Sequence, residues 1–459
     1  MPTAILWLRQ DLRVSDHRAL LAAVSEGPVI PVYILDDERP GARAIGSAQR
    51  WWLHHSLAAL DNSLRKRGSR LLLRRGPAPA VLERVLDEAG SGTIHATRCY
   101  EPWWKLCDAE VANRFDLRLH DGNYLAPPAS IVNAEGNRYR VFTPWYRALR
   151  ERMPPAFPFP APEHIPAPAA WPASDTLDAW GLLPTRPDWS GGFAAWQPGE
   201  KGAWRALRTW LPDARSYNRQ RDFPSLPATS RLSPHLHFGE ISPGAIWHAI
   251  GETQDAGAEA FRSELGWREH GINLLDQMPA YGERNGRAVF DAFSWRDGPE
   301  ADRDFDAWTR GRTGYPVVDA GMRELWRTGW MHNRVRMVVA SFLVKHLLID
   351  WRRGERWFWD TLLDADLGSN AMNWQYVAGT GVDAPVFSRI MSPLLQSERF
   401  AMGDYVRDHV PELAHLSDAE ITAAHDRDAC VAGYPSQIVG HRSARARALD
   451  AWGELRSRG

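Results

Sequence analysis

Residues that could bind a charged ligand are concentrated between positions 329 and 376. Arg336 and Met337 follow Asn333 by three and four residues. Because residues at these spacings share one face of a helix, an amide, a guanidinium and a thioether would lie on one surface. The surrounding residues 335–349 are mostly apolar and predict a core helix. The stretch therefore predicts a buried helix whose polar face could line a pocket.

An arginine that is buried on such a helix needs a carboxylate partner. Asp364 and Asp366 follow shortly downstream, in a segment that would place Asp366, Asn370 and Trp374 on one face if it is helical. From spacing alone, a core helix with an ordinary salt bridge explains Arg336 as well as a ligand pocket does. Both interpretations stay open at this point.

The N-terminal part of the chain alternates strand and helix patterns. Short apolar or β-branched runs lie at residues 4–8, 28–35, 69–74 and 92–97, and helical patterns lie near 16–25, 47–67, 78–89 and 103–115. This alternation predicts an α/β fold with a doubly wound parallel sheet. The turn after the first run, residues 9–13, reads Arg-Gln-Asp-Leu-Arg. It lacks Gly-x-Gly-x-x-Gly and so does not predict a dinucleotide site.

The composition changes twice along the rest of the chain. Residues 131–200 are rich in proline, which predicts an ordered connector without long regular elements. From residue 201 onward, tryptophan, leucine and arginine recur at helical spacing and predict an all-α region. We therefore expect an α/β domain over residues 1–130, a connector over 131–200 and a helical domain over 201–459.

Charge is balanced over the whole chain. The 459 residues include 55 basic and 56 acidic side chains, a formal net charge of -1. Any surface for a polyanion must therefore be a local patch. The 23 tryptophans could pack in cores, stack on bases or carry electrons.

The cysteines and histidines indicate the compartment and argue against a metal. Cys99, Cys107 and Cys430 form no Cys-x-x-Cys pair, which indicates a reducing compartment. No apolar run reaches about 18 residues, so no membrane segment is predicted and a cytoplasmic location is expected. His235 and His237 lack further ligands at metal spacing, and no metal site is predicted.

A loop within the helical region carries groups that suit a diphosphate. Residues 229–233 read Thr-Ser-Arg-Leu-Ser and precede Pro234, which could begin a helix. Hydroxyls, backbone amides and a guanidinium can all bind phosphate oxygens. A simple helix cap would explain the hydroxyls alone.

Several motifs together resemble the flavin domain of the photolyase and cryptochrome family. They are Trp-Met-His-Asn-Arg at 330–334, Asp-x-Asp-x-x-x-Asn at 364–370, Gly-Arg-Thr-Gly-Tyr-Pro at 311–316 and the loop at 229–233. The resemblance covers most of residues 210–400 and implies that the helical domain binds FAD. The implied FAD-binding residues are Tyr217, Thr229, Ser230, Arg231, Leu232, Ser233, Phe261, Glu264, Arg268, Asn333, Arg336, Asp364, Asp366 and Asn370.

The same resemblance implies roles in catalysis, DNA binding and electron transfer. The implied catalytic residues are Glu264, Trp267, Asn333, Met337, Asn370 and Tyr376. The implied DNA contacts are Trp267, Asn333, Arg334 and Arg389. Trp295, Trp351 and Trp374 match a tryptophan chain that carries electrons from the surface to the flavin. Trp267 would stack on a pyrimidine dimer that has flipped out of the duplex.

The activity implied by the resemblance is light-driven repair of cyclobutane pyrimidine dimers by an electron from excited, reduced FAD. Asn333, Met337 and Asn370 match the dimer-repairing branch, whereas Tyr376 resembles plant cryptochromes. A cryptochrome-like blue-light photoreceptor without repair activity is the alternative. A light-independent flavoprotein electron carrier is a third.

The resemblance also implies an antenna chromophore in the α/β domain. Glu101 lies in a Glu-Pro-Trp-Trp segment where the family has antenna contacts. Methenyltetrahydrofolate is expected, and a deazaflavin is the alternative. The expected partner is ultraviolet-damaged DNA, and the protein is expected to be a monomer without a membrane partner.

Overall fold

The computed structural model describes residues 3–90, 92–253, 255–423 and 431–458, so Cys430 lies outside the described residues. Contacts divide the chain into two compact units, which are described separately. The first unit comprises Met1–Arg215, Ser230–Pro279 and Leu363–Gly368, and the second comprises Ser216–Thr229, Ala280–Leu362 and Ser369–Gly459. The domain boundaries drawn from the sequence at residues 130 and 200 do not coincide with this division and stay a prediction.

A five-stranded parallel sheet forms the first layer of the first unit. Its strands are β1 (Ala4–Leu8), β2 (Val29–Leu35), β3 (Leu72–Arg75), β4 (Ile94–Thr97) and β5 (Leu117–His120), in the order β3-β2-β1-β4-β5. Ile5 and Trp7 belong to one core cluster, whereas Leu6 and Leu8 belong to another. Because successive side chains point to opposite faces, both faces of the sheet are buried.

Four strands and the helices between them follow the predicted alternation. These helices are Arg18–Glu26, Ser47–Arg65, Ala78–Ala89 and Pro102–Ala112. The sequence does not predict β5. Its residues, Leu-Arg-Leu-His, are short, mixed in polarity and half-exposed at the edge of the sheet beside β4, so no apolar run marks this strand.

The remainder of the first unit is irregular and helical. Its further helices are Phe142–Arg150, Glu200–Trp210, Ser233–His237, Pro243–Ile250 and Ala256–Gln277. The proline-rich segment contributes Trp180 and Phe193 to a core cluster of the sheet. Ala256–Gln277 carries Trp267 and is called the platform helix below.

The second unit is built from helices, as predicted. They include Pro299–Thr309, Pro316–Thr328, Asn333–Ser341, Trp351–Thr361, Leu367–Ala378, Pro393–Arg399, Gly403–His409, Asp418–Ala423 and His441–Arg458. The predicted fold class, an α/β sheet with an all-α region, is therefore confirmed. Among the described helices, none combines the length and apolarity needed to cross a membrane.

The predicted core helix over residues 335–349 is helical as far as His346, and the prediction is wrong for the last three residues. The α-helix ends at Ser341 and continues as a single π-turn over Phe342–His346. Leu348 then has a φ of +51°, and the amide of Ile349 donates to the carbonyl of Leu343. This hydrogen bond satisfies the carbonyl of Leu343 at the end of the helix, as helix C-terminal motifs do. The helix therefore ends within a run of residues whose apolar pattern suits a helix.

Candidate active site

The predicted phosphate loop of the first unit presents a guanidinium and a hydroxyl to the surface. Arg231 and Ser233 are exposed, and Leu232 between them is buried. Arg231 has a φ of +52°, and its guanidinium lies 5.6 Å from the centre of the Trp196 ring. The hydroxyl of Ser230 accepts a hydrogen bond from the amide of Leu232 at 3.4 Å. This donor set suits phosphate oxygens.

Two residues predicted for the same ligand belong to the second unit. Tyr217 is buried and carries the guanidinium of Arg221 over its ring at 5.2 Å. Thr229 is half-buried.

The platform helix positions Phe261, Glu264 and Trp267. Phe261 is buried against Trp210, with ring centres 4.1 Å apart. Glu264 and Trp267 are half-buried, three residues apart and therefore on one face of the helix. Trp267 stacks on Phe142 with ring centres 3.6 Å apart and planes inclined by 7°. The structure thus brings Trp267 together with an aromatic partner that the sequence does not identify.

Arg268 is tied to protein groups within the first unit. Its guanidinium donates to the carbonyl of Asn123 at 2.9 Å, pairs with Glu269 at 3.1 Å and lies 4.6 Å from the centre of the Tyr124 ring. Burial raises the pKa of Glu269 to about 7, against the opposing effect of Arg268. Arg268 therefore holds the platform helix to the segment around Asn123.

The two predicted carboxylates of the first unit lie before a helix rather than inside it. Asp364 is half-buried and Asp366 is buried. The amide of Asp366 donates to the carbonyl of Asp364 at 2.7 Å, and the helix begins at Leu367. The helix on which Asp366 would share a face with Asn370 and Trp374 therefore does not include Asp366, which lies in a tight turn just before it.

Glu101, the predicted antenna residue, is fully buried in the first unit. It precedes the helix Pro102–Ala112 and accepts a hydrogen bond from the amide of Tyr100 at 3.2 Å. Burial raises the pKa of Glu101, and the nearby carboxylate of Asp366 raises it further. The structure thus places Glu101 beside a carboxylate predicted for the flavin.

The helix Asn333–Ser341 of the second unit carries the predicted amide, guanidinium and thioether. Asn333 is exposed, whereas Arg336 and Met337 are half-buried. His332 caps the helix, since its Nδ1 accepts from the amide of Arg334 at 3.1 Å. Arg336 Nε donates to the carbonyl of Met331 at 2.7 Å. Its predicted pairing with an aspartate stays a prediction.

Arg334 is held in place by three groups of the second unit. Its guanidinium pairs with Asp222 at 2.7 Å and lies 4.6 Å from the centre of the Phe400 ring. It also lies 3.8 Å from the sulfur of Met337. Arg389, the other predicted phosphate contact, is exposed.

Asn370 is oriented by a buried carboxylate. Its Nδ2 donates to Glu355 Oε1 at 2.9 Å and to the Glu355 carbonyl at 3.1 Å. Both oxygens are acceptors, so the amide can bond them only through its NH₂ group. Glu355 is fully buried and fixes which end of Asn370 is the carbonyl. No local spacing pattern joins these residues, so the sequence does not reveal Glu355.

The three tryptophans predicted to carry electrons differ in their exposure. Trp295 is half-buried and lies 4.4 Å from Phe293, measured between ring centres. Trp351 is fully buried, and its Nε1 donates to Asn285 Oδ1 at 3.0 Å. Trp374 is buried against Phe358 at 5.0 Å.

A glycine allows Trp374 to approach the helix that carries Trp351. A Cβ built on Gly354 would lie 2.2 Å from Trp374 Cη2, closer than real Cβ contacts come. Tyr376, two residues after Trp374, is half-buried. The structure therefore packs Trp374 against the helix that carries Trp351. The contact is made at a glycine that the motifs do not single out.

The two histidines considered for a metal are engaged elsewhere. His235 pairs with Glu240, and His237 Nε2 lies 2.9 Å from Gln49 Oε1. No group of histidine, cysteine and carboxylate side chains able to hold a metal occurs in the part of the chain that is described.

Two parts of the sequence match known families. Residues 4–166 match the family described as DNA photolyase, and residues 261–454 match the FAD binding domain of DNA photolyase. The chain therefore contains the family's FAD-binding domain.

Similar proteins and structures extend over nearly the whole chain. A deoxyribodipyrimidine photo-lyase of Agrobacterium fabrum is 49% identical over 98% of both chains. Cryptochrome-1 of Arabidopsis thaliana is 35% identical over 98% of this chain and 70% of its own length. The crystal structure of a bacterial class III photolyase from Agrobacterium tumefaciens aligns with a TM-score of 0.94 at 47% identity, covering 100% of this chain and 98% of that one. The chain belongs to the photolyase and cryptochrome family.

Proposed function

We propose that this protein repairs cyclobutane pyrimidine dimers in DNA, using light absorbed by bound FAD. The match to the FAD-binding domain supports the cofactor. The similarity to a deoxyribodipyrimidine photo-lyase over 98% of both chains supports the reaction. The side chains described above add to these two lines of support.

The observation that carries the proposal is the fixed orientation of Asn370. Because Glu355 holds its NH₂ group, the opposite end of the amide is a hydrogen-bond acceptor. An acceptor suits the protonated N5 of reduced flavin. An ionised carboxylate would accept as well, but its negative charge would oppose the anionic form of reduced flavin, whereas the amide is neutral. Reduced flavin is the state that repair requires. The orientation of Asn370 therefore supports repair over sensing.

The donor set fits the rest of FAD. Arg231 and Ser233 offer exposed donors to the diphosphate, and Arg336 would offset negative charge near the ring system. The other residues we propose for FAD are Tyr217, Thr229, Ser230, Leu232, Phe261, Glu264, Arg268, Asn333, Asp364, Asp366 and Asn370. Reduced FAD, when bound, would supply a photoexcited electron to the dimer and accept it back.

The protein's part in the reaction is to hold the lesion and to keep the electron on its path. Trp267 would stack on the flipped dimer, because a flat aromatic face accepts any base. Glu264 would bond a base edge, and Asn333, Met337 and Tyr376 would contact the lesion. Arg334 and Arg389 would contact phosphates.

The tryptophan chain would restore the reduced cofactor. Trp295 is the most exposed of the three tryptophans, whereas Trp351 and Trp374 are buried. We propose that an electron enters at Trp295 and passes through Trp351 and Trp374. Burial of the last two excludes water from the path.

The test is repair of a defined lesion. Purified protein, photoreduced without oxygen, is mixed with an oligonucleotide that contains one thymine dimer, and intact thymines are counted by chromatography after illumination. Repair is expected only in light. The Trp267→Ala variant should keep its flavin absorption and lose most of its preference for the lesion, which tests the platform apart from the cofactor.

A blue-light receptor without repair activity is the second candidate, favoured by Tyr376 and by the similarity to a plant cryptochrome. Protein that binds and photoreduces FAD yet leaves dimers intact would establish it instead.

The absorption spectrum also decides between methenyltetrahydrofolate and a deazaflavin as antenna, for which we propose Glu101 as a contact. We further propose that the protein acts as a monomer, which sedimentation would test.

A further inference from the structure

Trp267 is one member of a stack of three rings in the first unit. The Phe142 ring is nearly parallel to the ring of Trp267, with centres 3.6 Å apart and planes inclined by 7°, and to that of Tyr146, at 5.2 Å and 12°. All three planes are therefore nearly parallel. Aromatic pairs more often meet edge to face or offset, and a centre separation of 3.6 Å marks close face-to-face contact.

The local sequence explains why the rings meet. Phe142 and Tyr146 are four residues apart at the start of the helix Phe142–Arg150 and so lie on one face. A Cβ on Gly266, the residue before Trp267, would lie 2.5 Å from Tyr146 Cδ2. The glycine therefore lets the two helices approach closely enough for Phe142 to cover the indole.

A wall of two further buried rings contacts the stack. Trp145 and His270 are buried, with ring centres 5.1 Å apart. His270 meets Phe142 at 75° and Trp267 at 78°. Burial lowers the pKa of His270 to about 4, so this wall is uncharged at neutral pH. Phe142 is thus fixed on several sides.

We propose that Phe142 is a positioning residue for damaged DNA, which holds the indole plane of Trp267 in the orientation that a flipped pyrimidine dimer stacks on. This inference rests on the proposed function. Phe142 does not itself touch the lesion in this account. Its contribution is to fix the indole before binding, so that the conformational entropy of Trp267 is not lost when the lesion arrives.

The experiment compares damaged and undamaged DNA in variants of the full protein with FAD bound. Phe142→Leu and Phe142→Met remove the stacked ring and keep an apolar side chain, whereas Phe142→Tyr keeps the ring. Phe193→Leu is the matched control. Phe193 is another buried phenylalanine of the same unit. It packs edge-on against Trp51 at 5.2 Å and belongs to a separate core cluster.

Two quantities are measured for each variant. The first is the dissociation constant for a duplex with one thymine dimer and for the same duplex without it. The second is the fluorescence of 2-aminopurine opposite the dimer at saturating protein, which reports flipping. We expect Phe142→Leu and Phe142→Met to bind the damaged duplex about fivefold more weakly and the undamaged duplex normally, since stacked pairs contribute about 1 kcal/mol.

The flipping signal should fall in both of these variants and return in Phe142→Tyr. Phe193→Leu should keep full discrimination. Normal discrimination and flipping in Phe142→Leu and Phe142→Met, or equal losses on both duplexes, would overturn the inference. A wild-type protein that does not prefer the damaged duplex would overturn the proposed function itself, which separates the two failures.

Discussion

At the scale of single residues, the proposed function depends on a contact between Glu355 and Asn370. A buried carboxylate that bonds an amide can do so with only one end of that amide. In the proposed function, the resulting neutral acceptor suits reduced flavin, whereas an ionised carboxylate would add a negative charge. The orientation of Asn370 therefore depends on a residue that need not touch the cofactor.

The first prediction removes this constraint. In Glu355→Gln the partner can donate as well as accept, so Asn370 is no longer held one way round. We expect the protein to keep FAD and its reduced form to be oxidised by air roughly tenfold faster, the equivalent of losing about 1.4 kcal/mol from a charge-assisted hydrogen bond. Reoxidation in the dark is followed by absorbance. The exposed Glu283→Gln is the control, and an unchanged rate in Glu355→Gln would contradict the assignment.

The second prediction concerns Arg334, whose pairing with Asp222 at 2.7 Å is partly solvent-exposed and so contributes little to stability. Arg334→Ala should bind DNA about five- to tenfold more weakly at low salt, with a salt dependence reduced by about one phosphate contact. Flavin content should not change. Arg310→Ala is the control, since Arg310 forms a more exposed pair with Asp306 at 2.9 Å. Equal salt slopes for Arg334→Ala and wild type would remove Arg334 from the DNA surface.

The sequence predicts side chains whose chemistry is local and misses those that act through distant contacts. Asn333, Arg336 and Met337 are found by their spacing on one helix. Phe142 lies 125 residues before Trp267, and Glu355 lies 15 residues before Asn370. No periodicity connects either pair, because tertiary packing rather than helix or strand geometry brings them together.

At the scale of elements, apolar patterns predict where helices exist better than where they end. The run at 335–349 is mostly apolar, yet the backbone passes through a π-turn and a left-handed residue at Leu348. The buried Lys345 lies in this turn and donates to the carbonyls of Ala378 and Phe387 at 2.7 and 2.9 Å. These partners are remote in sequence, so the pattern carries no sign of the break.

The third prediction tests the approach of two helices at Gly354. In Gly354→Ala the new Cβ would overlap Trp374 and Leu343, so the helices must separate. We expect a loss of about 1–3 kcal/mol in the free energy of unfolding, as for other overpacked sites, and slower photoreduction of the flavin. Urea unfolding and transient absorption measure the two effects.

Gly453→Ala is the matched control for this change. Gly453 also lies inside a helix, His441–Arg458, but a Cβ there meets nothing within 4 Å. The control should stabilise the protein by up to about 1 kcal/mol through helix propensity. Equal effects of the two substitutions would contradict the close packing of Trp374.

At the scale of the whole molecule, buried neutral histidines make the protein sensitive to acid. Burial lowers the pKa of His270 and His332 to about 4 and that of His346 to about 3. Their pKa in an unfolded chain is about 6.5. Between these values the unfolded state binds more protons than the folded state, so stability is complete above about pH 6.5 and falls as the pH is lowered towards 4.

The last prediction isolates one of these groups. At pH 5 a single histidine with a folded pKa of about 4 costs about 2 kcal/mol of stability relative to pH 8. His270→Phe removes that titration and keeps an aromatic ring among Phe142, Trp145 and Trp267. The variant should therefore lose about 2 kcal/mol less than wild type between pH 8 and pH 5, measured by urea unfolding at both. At pH 8, His270 is neutral in both the folded and the unfolded state. The difference in the free energy of unfolding between variant and wild type at pH 8 therefore measures the effect of the substitution on packing alone. Identical losses in the two proteins would show that His270 is not the group that titrates on unfolding.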